Sequence, residues 1–458
     1  MKVYLETMGC QMNSLDSELV EAMLRRAGME RVDEPRAADV LLYNTCSVRQ
    51  HAEDKVHSRL GWACRRKSGG RPLVIGVLGC MAQRLGEELL RRHPGVDIVC
   101  GPGQLAELIK LIEAAPSGPR ALLDPPRRQV PDGRGLDRLD RRRDATRTHR
   151  PGQAYVRILR GCNKFCAYCV VPFVRGPEVS RSPRSILDEV RRLADAGVTQ
   201  VTLLGQTVNS YCHSEGGRTT RLAELLTRID AVDGIRRVHF ITNYPAEMDR
   251  TILEAMRDLE TVCEYLHVPA QSGSDRVLKA MGRHYTRSQY DELIDQARQL
   301  VPGLAVSGDF IVGFPGETDA DHAASVDLIR RSRYKNSFLF KYSPRPATAA
   351  ARRLTDDVGN EEKRRRHQGL LAVQGEVSLV DHRARIGGTV EVLVEGPSVR
   401  SNRQPVPAPP GQRQLTGRTR TDHIVVFNAP DELVGRYVRV SVEAATPLTL
   451  IGRTEDRE

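Results

Sequence analysis

Arg160-Gly-Cys162-Asn-Lys-Phe-Cys166-Ala-Tyr-Cys169 is the stretch that decides how the rest of this 458-residue chain is read. Its cysteines follow a C-x3-C-x2-C spacing at the end of a strand-like apolar run over residues 155–159. Strand-to-loop junctions are where parallel α/β folds build their cofactor sites. Three thiolates on one short loop can hold three corners of a four-iron four-sulfur cluster, which otherwise takes four Cys ligands. One iron is then left open for a small molecule. The rival readings fit less well: structural zinc favours paired C-x2-C units with a fourth protein ligand, and three cysteines cannot all pair as disulfides.

Downstream, strand-like runs recur at residues 200–204, 237–242, 264–268, 304–313 and 338–342, separated by helical patterns at 182–197, 221–230, 251–258, 287–300 and 319–332. With the strand before the cluster loop, these repeats predict an incomplete parallel (β/α)6 barrel over residues 152–375. Its reactive groups should lie at the carboxyl-terminal mouth, and its open side should admit a large substrate. Gly313-Phe-Pro-Gly316 is not a phosphate loop, because it lacks the G-K-[ST] ending. Cys212 and Cys263 fit no cluster spacing and read as ordinary thiols.

Upstream, strand-like runs at residues 2–6, 40–43, 73–77 and 96–99 alternate with helical patterns, which predicts a doubly wound parallel α/β domain over residues 1–115. Three of these strands run into a cysteine: Thr7-Met-Gly-Cys10, Asn44-Thr-Cys46 and Leu78-Gly-Cys80. Loops at the carboxyl ends of an open parallel sheet share one edge, so these thiols can converge. A single Cys in such a place is usually a small buried hydrophobe. The threefold repetition argues instead for a second cluster site, with Cys100 as a possible fourth ligand because it too follows a strand. A dinucleotide site is excluded, since no G-x-G-x-x-G follows the first strand. Trp62, in the helical stretch 51–66, reads as a core or interdomain filler.

Residues 116–151 are rich in helix breakers, and residues 117–150 carry ten Arg against five Asp. That composition predicts a basic linker, which either solvates a connection or touches a nucleic-acid backbone. After the basic run Lys363-Arg-Arg-Arg-His367, short alternating strands at residues 389–394, 414–420, 423–427 and 437–443 predict a small antiparallel β-barrel over residues 376–458. Arg418 and Arg420 alternate along one of these strands and are candidates for RNA phosphate contact. The net charge of +11 is compatible with a polyanionic partner. No eighteen apolar residues run together, and Met1-Lys-Val-Tyr-Leu-Glu6 lacks a signal-peptide core, so a cytoplasmic protein without membrane contact is expected. In that reducing compartment the ten cysteines point to metal or catalysis rather than disulfides.

The cluster loop, continued through Val170-Val-Pro-Phe-Val-Arg175-Gly-Pro-Glu178-Val-Ser-Arg181, resembles the methylthiotransferase branch of the radical S-adenosylmethionine superfamily. Met8-Gly-Cys10-Gln-Met-Asn13, Asn44-Thr-Cys46-Ser-Val-Arg49 and Gly79-Cys80-Met-Ala-Gln83 resemble its amino-terminal cluster motifs, which have three ligands and no equivalent of Cys100. On this resemblance Cys100 and Cys64 are packing residues. Gly388-Thr-Val-Glu-Val-Leu-Val-Glu-Gly396 with Gly417-Arg-Thr-Arg-Thr421 resembles the TRAM domain, an RNA-binding barrel of tRNA-modifying enzymes, from which residues 403–411 depart as a surface insertion.

The family resemblance implies two [4Fe-4S] clusters, one on Cys10, Cys46 and Cys80 and one on Cys162, Cys166 and Cys169, with S-adenosylmethionine at the open iron of the second. Leu203-Leu-Gly205-Gln206 resembles the motif that holds the cofactor's amino group, with Gln in place of the commoner acid. His267-Val-Pro-Ala-Gln271 and Asp309-Phe-Ile-Val-Gly313 resemble the later motifs near ribose and adenine, and Tyr168 occupies the position whose backbone the family sets against adenine. The implied reaction is methylthiolation at C2 of an N6-isopentenyladenosine next to the anticodon of a tRNA. Asn163-Lys164 and the 175–181 segment favour that substrate over threonylcarbamoyladenosine in tRNA or a ribosomal-protein aspartate. Such a C–H bond is neither acidic nor a leaving group, so a cofactor radical must supply the reactivity. An electron donor such as flavodoxin or ferredoxin and a monomeric enzyme are also implied. A non-catalytic iron-sulfur RNA-binding or redox-sensing protein is the alternative of another class, disfavoured by the intact Gly205-Gln206 and Asp309 motifs.

Overall fold

The computed structural model describes the chain except residues 48–49, 71, 126–133, 149, 400–406 and 456–458. Parts of the expected basic linker and of the expected surface insertion therefore lie outside the described residues. In the amino-terminal domain β1 (Lys2–Met8), β2 (Glu30–Arg31), β3 (Val40–Thr45), β4 (Val74–Gly79), β5 (Ile98–Cys100) and β6 (Arg120–Leu122) form one parallel sheet in the order β2-β1-β3-β4-β5-β6. Its central strands β3 and β4 are almost wholly buried because helices cover both faces. Leu42, Leu78 and Ile98 pack against the helix Gln11–Arg26, while Leu41, Val77 and Val99 pack on the other face with residues of the helix Gln50–Ser68. Cys100 is fully buried in the first of these cores, and Cys64 and Trp62 pack against the second.

The central domain comprises β7 (Gln153–Arg157), the short antiparallel pair β8 (Leu159–Arg160) and β9 (Val179–Ser180), β10 (Gln200–Leu204), the hairpin β11 (Cys212–Glu215) and β12 (Arg218–Arg221), and then β13 (Arg237–Phe240), β14 (Tyr265–His267), β15 (Ala305–Val312) and β16 (Asn336–Lys341). Its two parallel sheets, β13-β10-β7 and β14-β15-β16, are joined through a Val238–Val262 bridge into one open arc of six strands. The incomplete (β/α)6 barrel expected from the sequence is thus observed. Four outer helices start where the sequence supplies a cap: Ser182, Asp249, Thr286 and Thr318 each accept a backbone N–H of the first turn, while the helix Leu222–Asp230 starts without one. Their apolar residues, among them Ile186, Leu225, Ile252, Ile294 and Leu328, close over the strands.

β17 (Thr389–Pro397), β18 (Arg413–Arg418), β19 (Ile424–Ala429), β20 (Tyr437–Ala445) and β21 (Leu450–Thr454) close a small barrel in the order β17-β18-β19-β21-β20. Sequence reading missed β21, which pairs parallel with β19. Its less exposed positions are Leu450, Gly452 and Thr454, so the apolar alternation of a strand is absent. The helix Asn360–Arg383 runs across the boundary expected at residues 375–376. Its basic run faces inward in part: Lys363 Nζ donates to Asp356 at 2.6 and 2.7 Å, and Arg366 pairs with Glu317 at 2.9 Å.

The small barrel sits on the amino-terminal end of the central strands. Arg237, first residue of β13, donates to the carbonyls of Arg418 (2.9 Å) and Glu391 (3.0 Å), and Lys335, just before β16, donates to Asp422 at 2.8 Å. Of the two arginines expected to alternate along one strand, Arg418 ends β18 and Arg420 lies in the turn after it. Arg418 is held by Asp422 at 2.9 Å and Glu395 at 3.2 Å, and Arg420 by Glu264 at 2.9 Å and the Val262 carbonyl at 2.9 Å. The Arg420 charge fastens the small barrel to the central domain, whereas the Arg418 charge is paired within the barrel.

The described parts of the expected linker are built into the structure as well. Residues 120–122 add β6 to the first sheet, and the helix Arg134–Asp140 lies where the amino-terminal and central domains meet. There Asp140 and Arg143 are buried in a chain of ion pairs with Arg157, Glu189 and Glu18. No helix among the described residues is long and apolar enough to cross a membrane.

Candidate iron-sulfur and nucleoside site

The three amino-terminal cysteines stand at three strand ends of one sheet edge. Cys10 follows β1 and caps the helix Gln11–Arg26, Cys46 follows β3, and Cys80 follows β4 as the first residue of the helix Cys80–Leu85. Two glycines let them approach. A Cβ on Gly9 would meet Asn13 Oδ1 at 2.5 Å and Cys46 Cβ at 3.0 Å. Gly79 has φ +88°, and a Cβ there would meet Asn44 Oδ1 at 2.5 Å. Buried Asn13 and Asn44 bond to each other at 3.0 Å and fix the loops from behind. The hydrogen bond from Cys46 draws the Cys10 thiol down to about 6, with the Arg175 guanidinium helping against burial, whereas burial pushes Cys80 up. Ligation would deprotonate both outright.

The second triad lies on the loop after β8. Gly161, at φ +83°, is crossed so closely by the Pro177 carbonyl that no side chain fits there. Gln206 Oε1 accepts the Gly161 N–H at 2.5 Å, and Cys162 Sγ lies 3.6 Å from Thr207 Oγ1. Arg283 Nη1 donates to Cys166 Sγ at 3.4 Å. Burial raises the Cys162 thiol and, together with the neighbouring Cys166, pushes Cys169 up to about 12.

The two triads are neighbours. Val170, the residue after Cys169, packs with Val174 directly against Cys80. From the end of the short helix Val171–Val174, Arg175 donates its Nε–H to Cys80 Sγ at 3.2 Å and pairs with Asp16 at 2.9 Å.

Among the described residues, Asp381, His382 and His423 form the only set of three His, Cys, Asp or Glu whose ligand atoms all lie within 4.8 Å of one another. Neither cysteine triad is that tight. Three thiolates are the donor set of an iron-sulfur cluster with one open iron, whereas a closed structural zinc site takes a fourth protein ligand. Arg175 Nη1 and Nη2 are also buried without a hydrogen-bond partner, donors suited to an anionic group.

The residues expected around S-adenosylmethionine sit at the barrel mouth but have diverse contacts. Gly205 follows β10, where a Cβ would meet Leu159 at 2.7 Å, and Gln206 is used to hold the cluster loop. His267 Nδ1 accepts the Thr242 N–H at 3.1 Å, so its Nε2–H donates to Asp309 Oδ1, also at 3.1 Å. Gln271 and Thr242 both hold φ +70°, and the Gln271 N–H donates to the Asp309 carbonyl at 2.7 Å. Left-handed backbone at non-glycine residues clusters at functional sites. Tyr168 packs against the group formed by Met281, Phe314 and Tyr342. Sequence reading assigned no role to Arg175, Thr207 or Arg283. Arg175 was visible only as part of a motif, and the other two carry no spacing signal.

Comparison with known proteins agrees with this geometry. A family model described as Radical SAM superfamily matches residues 156–329, and one described as Uncharacterized protein family UPF0004 matches residues 2–101. The chain is 48% identical to the tRNA-2-methylthio-N(6)-dimethylallyladenosine synthase of Rhodopirellula baltica, over 100% of this chain and 96% of that protein. It is 42% identical to the protein of the same name from Moorella thermoacetica, over 98% of this chain and 97% of that protein. Among solved structures, the radical S-adenosylmethionine methyltransferase TsrM from Kitasatospora setae, with cobalamin and a [4Fe-4S] cluster bound, matches with a TM-score of 0.53 at 16% identity. The match covers 76% of this chain and 77% of that one, and it is a likeness of fold.

Proposed function

This chain belongs to the family of the tRNA-2-methylthio-N(6)-dimethylallyladenosine synthases, and on that premise we propose how its residues divide the work. The protein is a tRNA methylthiotransferase that converts N6-isopentenyladenosine to its 2-methylthio form. Its cofactors are S-adenosylmethionine and two [4Fe-4S] clusters. When bound, these supply the one-electron chemistry that an unactivated aromatic C–H bond requires.

Cys162, Cys166 and Cys169 would hold the cluster that S-adenosylmethionine joins, and Cys10, Cys46 and Cys80 the cluster that serves sulfur transfer. Gln206 keeps the second loop in place through Gly161, and Arg283 steadies Cys166. Gly205 leaves room beside the loop, while the backbone around Tyr168 and Gln271 and the His267–Asp309 pair offer polar groups for the nucleoside part of the cofactor. The observation that carries this reading is the Cys80–Val170–Val174 contact with the Arg175 bond across it. It brings both triads to one space, so a single base can meet both without leaving it. The open side of the six-strand arc gives the tRNA its approach. A monomer working in the cytoplasm with a flavodoxin or ferredoxin as electron donor completes the proposal.

The test is reconstitution of Cys46→Ala and Cys166→Ala with S-adenosylmethionine, reductant and isopentenylated tRNA. Cys46→Ala should still release 5'-deoxyadenosine and form no methylthiolated nucleoside, whereas Cys166→Ala should lose the release itself. Equal loss of release in both variants would reject the division of labour.

A further inference from the structure

We propose that Arg175 is the positioning residue of the first triad: a guanidinium from the central domain that raises the reduction potential of the cluster on Cys10, Cys46 and Cys80. The proposal rests on the reading that this triad holds a cluster, and adds the group that tunes it. Arg175 is 4% exposed and belongs to the segment after the second triad, yet its Nε–H donates to a ligand sulfur of the other domain at 3.2 Å. The side chain has little freedom to do anything else. Its Nη1 is held by Asp16 at 2.9 Å, and Asp16 is itself fully buried and held by Arg157 Nη1 at 2.9 Å. Arg157 is fixed in turn by Asp140 at 2.9 Å. A chain of ion pairs through three segments of the protein therefore aims one guanidinium at one sulfur.

The other two nitrogens fit the same role. Nη1, although ion-paired with Asp16, and Nη2 are both buried with no hydrogen-bond partner, and a charged donor left without an acceptor in a buried site is costly unless an acceptor belongs there. Cluster potentials are set by net charge, hydrogen bonds to sulfur and solvent exposure. On reduction one electron enters the cluster from the flavodoxin or ferredoxin class of donor, no bond to carbon is made or broken, and the cluster gains one negative charge. A fixed cation hydrogen-bonded to a ligand sulfur stabilises that reduced form, so its removal lowers the potential. Arg283 stands in the same relation to Cys166, within its own domain, at 3.4 Å. Arg175 alone of the two works across the domain boundary.

The test uses the full-length chain with Cys162, Cys166 and Cys169 replaced by Ala, so that only the first triad can hold iron. Dithionite titration followed by electron paramagnetic resonance gives its midpoint potential with Arg175, Arg175→Gln and Arg175→Lys. At the parent midpoint, Arg175→Gln should show a reduced-to-oxidised ratio lower by about tenfold, which is about 59 mV for one electron. Arg175→Lys keeps the charge without the planar fork and should shift by less. Gln and Lys chains that both carry a full cluster at the parent midpoint overturn the proposal. If the Gln chain retains no cluster, the Lys chain decides, and its unshifted midpoint is equally fatal. A parent chain that binds no iron at this triad removes the underlying reading and the proposal together.

Discussion

Replacing Arg157 by methionine should loosen the joint between the amino-terminal domain and the barrel. Arg157 lies on β7 with 2% of its side chain exposed, and its guanidinium meets Asp16 of the first domain and Asp140 of the joining helix, both at 2.9 Å. Methionine fills a similar volume, so the main loss is charge compensation. Removing one partner of a buried ion pair costs about 3–5 kcal/mol, because the other charge stays in a medium of low dielectric. Asp16 keeps Arg175 at 2.9 Å, whereas Asp140 is left with Arg181 at 3.8 Å. One carboxylate is thus stranded rather than two, which places the expectation near the lower bound, about 3 kcal/mol. For a cooperative unit of about 150–250 residues, the size of the central domain, that is a fall of roughly 6–12 °C in midpoint. Calorimetry and urea titration of the cluster-free chain would measure it, alongside Asp140→Asn and the double variant. The double variant should recover stability relative to Arg157→Met, since the stranded charge is gone. An Arg157→Met chain within about 0.5 kcal/mol of the parent, or strictly additive single variants, would refute the reasoning.

Gly79→Ala should destabilise the first triad by about 1–3 kcal/mol from its backbone conformation alone, on top of the contact with Asn44 Oδ1 at 2.5 Å; iron per chain should fall while 5'-deoxyadenosine release persists. Because Arg420 is occupied by Glu264, Arg420→Ala should change stability by no more than about 1 kcal/mol. The slope of log Kd for tRNA against log salt should stay the same; a slope smaller by about 0.7–0.9 would mean a lost phosphate contact instead. Burial depresses His239 to about 4, below its unfolded value of about 6.5, so its share of stability is complete above pH ~6.5 and lost as the pH falls toward ~4. That share is at most about 3 kcal/mol, and His239→Phe should flatten urea midpoints across that window.

The six parallel central strands were legible because each is an apolar run followed by a helix with a periodic face, and β3 and β4 for the same reason. β21 was hidden, since Leu450, Gly452 and Thr454 give no alternation, although it pairs with the preceding β20 as well as with β19. The joining segment misled on charge. Asp140 and Arg143 look solvated in a run of like residues, and only their partners, Arg157 on β7 and Glu189 on an outer helix, make burial tolerable. Arg418 and Arg420 were legible as a basic pair, but not the carboxylates, Glu395 and Glu264, that they meet in the fold.

At the candidate site, the cysteines stood out by spacing and repetition. The glycines around them carry steric reasons that only the fold reveals, such as the Pro177 carbonyl over Gly161. Arg175 and Arg283 were not legible as sulfur partners, since nothing local connects them to Cys80 and Cys166 across 95 and 117 residues of chain.

The central claim is methylthiolation of isopentenylated tRNA, and the most direct measurement is mass spectrometry of nucleosides from total tRNA of the source organism with and without this gene. The account predicts loss of 2-methylthio-N6-isopentenyladenosine, with N6-isopentenyladenosine rising in its place and a plasmid copy restoring the original pattern. An unchanged level of that nucleoside, with a methylthiolated threonylcarbamoyladenosine or ribosomal aspartate lost instead, would contradict it.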